Sequence, residues 1–200
     1  MGATVLFLTA RLLRARAVEA ELRETLESLQ ATEKFLKAQA YYDHLTGLAN
    51  RALLVDRFQL AIERSKRSGV PFATVMIDLN NFKCINDRHG HAAGDQVLMT
   101  IGKRLLEAVR ASDTVSRLGG DEFVLIIESI NDRHELAHIG QKLMALLTED
   151  VLLDSGTVVS LGGSLGFALY PSDGSSMERM LQVADQAMYD CKTSGLVPLF

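Results

Sequence analysis

The chain has 200 residues, 48% of them hydrophobic, enough to bury the core of one domain with an appendage beside it. A formal net charge of −4 argues against a general nucleic-acid binder, which carries a basic excess, so no nucleic-acid partner is expected. The two cysteines, Cys84 and Cys191, are far apart and form no CxxC pair, which points away from a disulfide framework and toward a reducing cytoplasm.

Residues 1–14 are an apolar segment interrupted by Arg11, with Arg14 and Arg16 close behind. A bilayer span needs about 20 apolar residues, so this segment cannot cross alone, and it lacks the basic start of a signal peptide. An apolar run ending in arginines fits the cytoplasmic end of a membrane helix that begins further upstream. That reading attaches the protein to the inner face of the cytoplasmic membrane; the alternative is an extension that packs on nothing. Residues 15–40 contain no Gly or Pro and are rich in Glu, Leu, Ala, Arg and Lys, which predicts one continuous helix. Leu22, Leu26, Leu29 and Leu36, with Glu33 and Ala40 continuing the register, recur at alternating spacings of four and three, a partial heptad seam. It reads either as a dimerising stalk or as an amphipathic helix lying on its own domain.

From residue 41 to residue 200 the pattern is that of a separate domain. Gly47 and Asn50 break the helix, and Arg51–Ser68 resumes one with Leu54, Phe58, Ala61 and Ile62 on one face. Phe72–Leu79 is an apolar, partly β-branched run that predicts a buried central strand carrying Asp78 near its end. A helix is expected after Gly94, running to Arg110. Thr114–Leu118 and Phe123–Glu128 then flank Gly119-Gly120-Asp121-Glu122, a tight hairpin whose glycines let a backbone approach a ligand closely. A helix over Arg133–Leu147, an extended stretch over Val158–Tyr170 broken by Gly162-Gly163 and Gly166, and a last helix from about Ser176 complete the chain. Strand, helix, hairpin, helix, strand, helix is the split βαβ order. The expected fold is α+β and ferredoxin-like, a mostly antiparallel sheet covered by helices on one side and preceded by the long N-terminal helix.

In that topology the end of the first strand lies beside the hairpin, so Asp78 meets Asp121 and Glu122. Close carboxylates repel by roughly 4 kcal/mol per pair at an effective dielectric near 20, and a cation relieves this. An all-oxygen donor set favours Mg²⁺ or Mn²⁺ over zinc, and Mg²⁺ commonly completes its shell with substrate phosphates, which suggests a nucleoside triphosphate. Taken singly, each acid reads as well as a strand-end or solvated residue.

Several motifs in order resemble the GGDEF-domain diguanylate cyclases over about Tyr41 to Gly195. They are Asp43-His-Leu-Thr-Gly-Leu-Ala-Asn-Arg51, Ile77-Asp-Leu-Asn-Asn-Phe-Lys83 with Ile85-Asn-Asp87, Gly90-His-Ala-Ala-Gly-Asp95, Gly119-Gly-Asp-Glu-Phe123, and Ala184-Asp-Gln-Ala-Met-Tyr189 with Lys192. The resemblance implies condensation of two GTP into cyclic di-GMP with release of two pyrophosphates. It implies that Asp78, Asp121 and the Leu79 carbonyl hold Mg²⁺ (or Mn²⁺), with Asp121 and Glu122 as the catalytic carboxylates. Asn86 and Asp95 are then the guanine readers, and Lys83, Gly120 and Lys192 lie along the triphosphate. Without the family, Asn86 reads as an Asx turn and Asp95 as a helix N-cap after Gly94. One domain holds one GTP, so the reaction implies a homodimer of opposed half-sites, which gives the leucine seam a purpose. Arg110-Ala-Ser-Asp113 resembles the family's RxxD inhibitory site, which implies feedback inhibition by bound cyclic di-GMP.

The sequence departs from the family pattern after Lys192. Thr193-Ser-Gly-Leu196 puts Leu196 where an arginine near the phosphates is usual, Pro198 follows, and Asn80 replaces a frequent acid. A non-catalytic module that binds GTP or cyclic di-GMP as a receptor is the alternative that this departure leaves open.

Overall fold

Strand β1 (Phe72–Asn80) is buried without a break from Phe72 to Ile77, and this decides the architecture. A strand that alternates apolar and polar residues can afford one wet face; one that is apolar throughout must be covered on both. In the computed structural model, which describes residues 2–130 and 132–194, it is. Side chains are described for Arg16, Glu19 and residues 21–193 other than 131. The sequence reading of Leu196 and Pro198 therefore lies outside the described residues, as do the side chains of the apolar segment 1–14.

The chain divides into residues 1–40 and residues 41–200. The first unit is the helix α1, whose bounds are Gly2–Tyr41. Leu22, Leu26, Leu29, Phe35 and Leu36 are exposed along it, and Glu33 pairs with Lys37 at 2.6 Å one turn on. No helix among the described residues is long and apolar enough to cross a membrane.

In the second unit, helix α2 (Arg51–Ser68) is started by Asn50, whose side chain accepts from the N–H groups of Ala52 and Leu53. It ends at Gly69 in the left-handed region. After β1 come α3 (Phe82–His89), α4 (His91–Ala108), β2 (Thr114–Gly119), β3 (Glu122–Ile127), α5 (Arg133–Thr148), β4 (Val151–Leu152), β5 (Val158–Val159), β6 (Gly162–Tyr170) and α6 (Met177–Ser194). The main sheet has the order β2-β3-β1-β6, every pair antiparallel, which is the ferredoxin-like arrangement.

The expectation of helices on one side is corrected here. Ala73, Val75, Ile77 and Leu79 of β1, with Phe123, Leu125 and Ile127 of β3, pack against residues of α3, α4 and α5. The alternate residues Phe72, Met76, Val124 and Ile126 pack with Leu54, Phe58 and Ala61 of α2 and Met180, Ala184 and Met188 of α6. The two inner strands are thus apolar on both faces and are sandwiched. The extended stretch after Val158 also divides: Val158–Val159 pairs with Val151–Leu152 in a separate small hairpin, and only Gly162 onward joins the sheet. Gly166 is where α6 comes down on β6, since a side chain there would overlap the Ala184 carbonyl oxygen and the Met188 nitrogen.

Candidate active site

Strand pairing sets Asp78 directly opposite Glu122 across the β1–β3 ladder. The Leu79 N–H donates to the Asp121 carbonyl oxygen at 3.3 Å, so the hairpin turn is tied to the strand end. Gly119 (φ 149°) and Gly120 (φ 54°) make that turn, and a Cβ at either would be strained whatever space surrounds it. Burial first, and then the negative charge of Asp78, Asp121 and Asp185, push the Glu122 carboxyl above its ordinary range. Four acids therefore share this corner electrostatically, Asp78, Asp121, Glu122 and Asp185, the last reaching it from α6. That fourth acid escaped the sequence reading, although it sits inside the motif Ala184-Asp-Gln-Ala-Met-Tyr189.

The Lys192 ammonium, from the last turn of α6, donates to Asp78 Oδ1 at 2.6 Å. Among the described residues no three His, Cys, Asp or Glu side chains are already gathered as an ion cage. The donors at this corner are all oxygens, and their mutual repulsion is what a hard divalent cation relieves; the residues fit Mg²⁺ or Mn²⁺.

Behind the turn is a clamp between Arg117 and Asp43 that sequence reasoning did not find. Arg117 donates from Nη1 to both oxygens of Asp43, at 3.0 and 3.1 Å, and from Nε and Nη2 to the Gly120 carbonyl oxygen, at 3.0 and 2.8 Å. Both side chains are nearly buried, with Arg117 10% and Asp43 14% exposed. Asp43 also accepts from the Thr46 N–H at 2.9 Å and hydroxyl at 2.6 Å. Burial raises the Asp43 pKa, but the Thr46 hydrogen bonds and the Arg117 guanidinium together win and hold it below the usual carboxylate range. The segment after α1 is further stitched to β2, with Ala49 N–H on Val115 O and Arg117 N–H on Ala49 O. An Arg–Asp pair 74 residues apart, in which one guanidinium nitrogen reaches both carboxylate oxygens, has no local sequence signal.

Helix α3 begins from Asn81 in the left-handed region (φ 63°) and packs on α4. Lys83 is exposed on its first turn. Asn86 lies inside α3, half-buried, and its Oδ1 is buried with no hydrogen-bond partner. Helix α4 starts at His91, not after Gly94, so Asp95 is an exposed residue within the helix. The Asx-turn and N-cap readings of these two residues are thereby overturned: Gly90, with φ 85°, breaks the chain earlier and the helix nucleates on it.

Arg110 and Asp113 stand on the far side of the domain's sheet from α6, at the end of α4. Asp113 accepts from the Arg110 N–H at 2.9 Å and from the Glu128 N–H at 3.0 Å, and Arg110 approaches Glu135 of α5 at 3.7 Å. Beside them is a cavity of about 460 Å³, lined also by Val109, Ile127, His138 and Lys142.

Fold and site together define a nucleotidyl-cyclase type of domain, and residues 40–196 match the family described as "Diguanylate cyclase, GGDEF domain". The chain belongs to the GGDEF domain family. It is 39% identical over 178 residues to the bifunctional diguanylate cyclase/cyclic di-GMP phosphodiesterase MucR of Pseudomonas aeruginosa, covering 89% of this chain but 26% of MucR. The chain thus spans about a quarter of the length of that relative. Among solved structures it is similar to a sensory box/GGDEF family protein from Caulobacter crescentus (42% identity, TM-score 0.75, 78% of this chain and 100% of the other). It is also similar to the coiled coil and GGDEF domain of DgcB from C. crescentus in complex with c-di-GMP (26% identity, TM-score 0.73, 94% and 95%).

Proposed function

We propose that the protein is a diguanylate cyclase, joining two GTP into cyclic di-GMP. The observation that carries this reading is the register of β1 and β3, which sets Asp78 against Glu122 and ties Asp121 to Leu79. With the signature motif complete, that corner would be the place where a triphosphate is handled.

Asp78, Asp121 and the Leu79 carbonyl would hold Mg²⁺ or Mn²⁺. When bound, such an ion neutralises triphosphate charge and makes a ribose hydroxyl easier to deprotonate. The chain's own residues do the rest. Asn86 and Asp95 read the guanine edge; a carboxylate accepts from guanine N1–H and N2–H, donors that adenine lacks at those atoms. Lys83 and Lys192 bring positive charge to the phosphates, and Lys192 leaves Asp78 to do so. The glycine turn, held by Arg117 on the Gly120 carbonyl, lets backbone come close to the phosphates. Each 3′-oxygen forms a bond to the α-phosphorus of the other GTP as the bond from that phosphorus to the pyrophosphate oxygen breaks. Each 3′-hydroxyl gives up its one proton to one carboxylate of the catalytic pair Asp121 and Glu122. Catalysis of this kind is mostly positioning and electrostatics.

Because one domain presents one half-site, two chains must face each other, and the exposed leucines of α1 supply a seam for that homodimer. Arg110 and Asp113 would bind the product at the neighbouring cavity and hold the domains apart from the productive encounter. The protein works in the cytoplasm, with residues 1–14 leading to the membrane's inner face.

The test is incubation of the purified chain with GTP and MgCl₂, with product identified by mass. Cyclic di-GMP and pyrophosphate in a 1:2 ratio are expected, and Asp121→Ala is expected to lower turnover at least about 100-fold with an unchanged circular dichroism spectrum. Full activity in Asp121→Ala overturns the assignment of that corner, and GTP binding without product shifts the reading to a receptor module.

A further inference from the structure

Gly94 stands inside α4, buried, at a helical position where alanine is favoured by about 1 kcal/mol. A methyl group placed on it would overlap Asn86 Oδ1, and would stand 2.9 Å from Asn86 Cγ and 3.2 Å from Phe82 Cζ. Either the amide or the ring would have to move. The oxygen in question is the one that is buried and has no donor. A buried acceptor left unpaired costs about 1–3 kcal/mol. Two unfavourable choices, a glycine within a helix and an orphan carbonyl, thus meet at one point of the α3–α4 seam. Around that point the seam is packed by the apolar residues Phe82, Ile85, Ala93, Val97 and Leu98, none of which can donate a hydrogen bond from its side chain to the orphan oxygen.

We propose that Gly94 is a positioning residue for guanine recognition, an inference that rests on the reading of Asn86 given above. Its missing side chain is a slot that takes Asn86 Oδ1. Seating the oxygen there fixes the plane of the amide and turns its other end, Nδ2, outward as a donor. Guanine presents the O6 acceptor where adenine presents the N6 donor, so a donor held at one angle discriminates between them. An amide free to rotate would offer an oxygen as readily as a nitrogen and lose that discrimination.

The test uses 3′-deoxy-GTP and 3′-deoxy-ATP, which lack the hydroxyl needed for turnover, with Mg²⁺ and the full chain, and reads the ratio of their Kd values. Wild type, Gly94→Ala, Asn86→Ala and the double variant are compared, with Tm recorded for each. Asn86→Ala and Gly94→Ala are each expected to lower the guanine preference about tenfold, the loss of one hydrogen bond. The double variant is expected to be no worse than Asn86→Ala alone, because both changes act through one amide. If Gly94→Ala keeps the wild-type preference while Asn86→Ala loses it, the inference fails and the guanine reading stands. If Asn86→Ala keeps the preference, the guanine reading fails and takes the inference with it. A fall in Tm for Gly94→Ala that the added Asn86→Ala does not reverse places the clash at Phe82, and that also overturns it.

Discussion

The Arg117 guanidinium spans two segments of chain: it holds both carboxylate oxygens of Asp43 with one nitrogen and the Gly120 carbonyl with the other two. The segment that follows α1 is thereby fastened to the turn of the signature hairpin, through a pair that has little contact with water. Leaving one member of such a pair alone costs about 3 kcal/mol. Arg117→Ala is therefore expected to lower Tm by roughly 10 °C for a domain of this size and to reduce turnover as the Gly120 turn loosens. Thermal melts and initial rates on the same preparation check both; an unchanged Tm means that the clamp does not hold the turn.

The same pair gives a sign for the acid limb of stability. Asp43 is held below its ordinary value of 3.8, so the folded state releases this proton more readily than the unfolded chain. Its contribution is full above about pH 3.8 and is lost as pH falls through the lower folded value. Wild type should exceed Asp43→Asn in urea midpoint at about pH 5, with the gap closing toward about pH 3. A gap that widens on acidification contradicts the assignment.

Gly166 and Gly163 lie on the same strand but meet different obstacles. A methyl at Gly166 overlaps backbone atoms of α6, the Ala184 oxygen and the Met188 nitrogen, which cannot rotate away. A methyl at Gly163 meets the Leu147 side chain, which can. Gly166→Ala is expected to cost about 3 kcal/mol and Gly163→Ala about 1 kcal/mol. Because α6 carries Asp185 and Lys192 to the Asp78 corner, Gly166→Ala should also lose activity at temperatures where it remains folded. Denaturant titrations and rate assays on the two variants provide the comparison.

Just past the C-terminal end of α4, Arg110 is exposed, and among the described residues its side chain makes a 3.7 Å approach to Glu135 and no shorter ion pair, so truncating it should not disturb the fold. Arg110→Ala is expected to weaken cyclic di-GMP binding roughly 10- to 100-fold, the value of a charge-assisted contact, while initial rates on GTP persist. Calorimetric titration with cyclic di-GMP measures this. Asp113→Ala should behave differently and lose stability by about 1 kcal/mol, since Asp113 caps the Arg110 and Glu128 N–H groups.

What the sequence by itself determined is local or periodic. The apolar run of β1, the glycine turn before Asp121, the helical stripe of Leu54, Phe58 and Ala61 and the leucines of α1 each follow from spacing and composition, and they carry the element order and hence the sheet topology. The ordered motifs likewise identify the family, because each is a short contiguous string. Tertiary structure alone decided the rest. That α2 and α6 cover a second face of the sheet depends on which way alternate side chains of β1 and β3 find a partner. The Arg117–Asp43 pair, the approach of Asp185 to Glu122 and the seating of Asn86 against Gly94 each join residues whose separation along the chain says nothing of their distance in space. Contacts of that kind arise only when packing has brought the elements together, and the charges and hydrogen bonds at the site are set by those contacts.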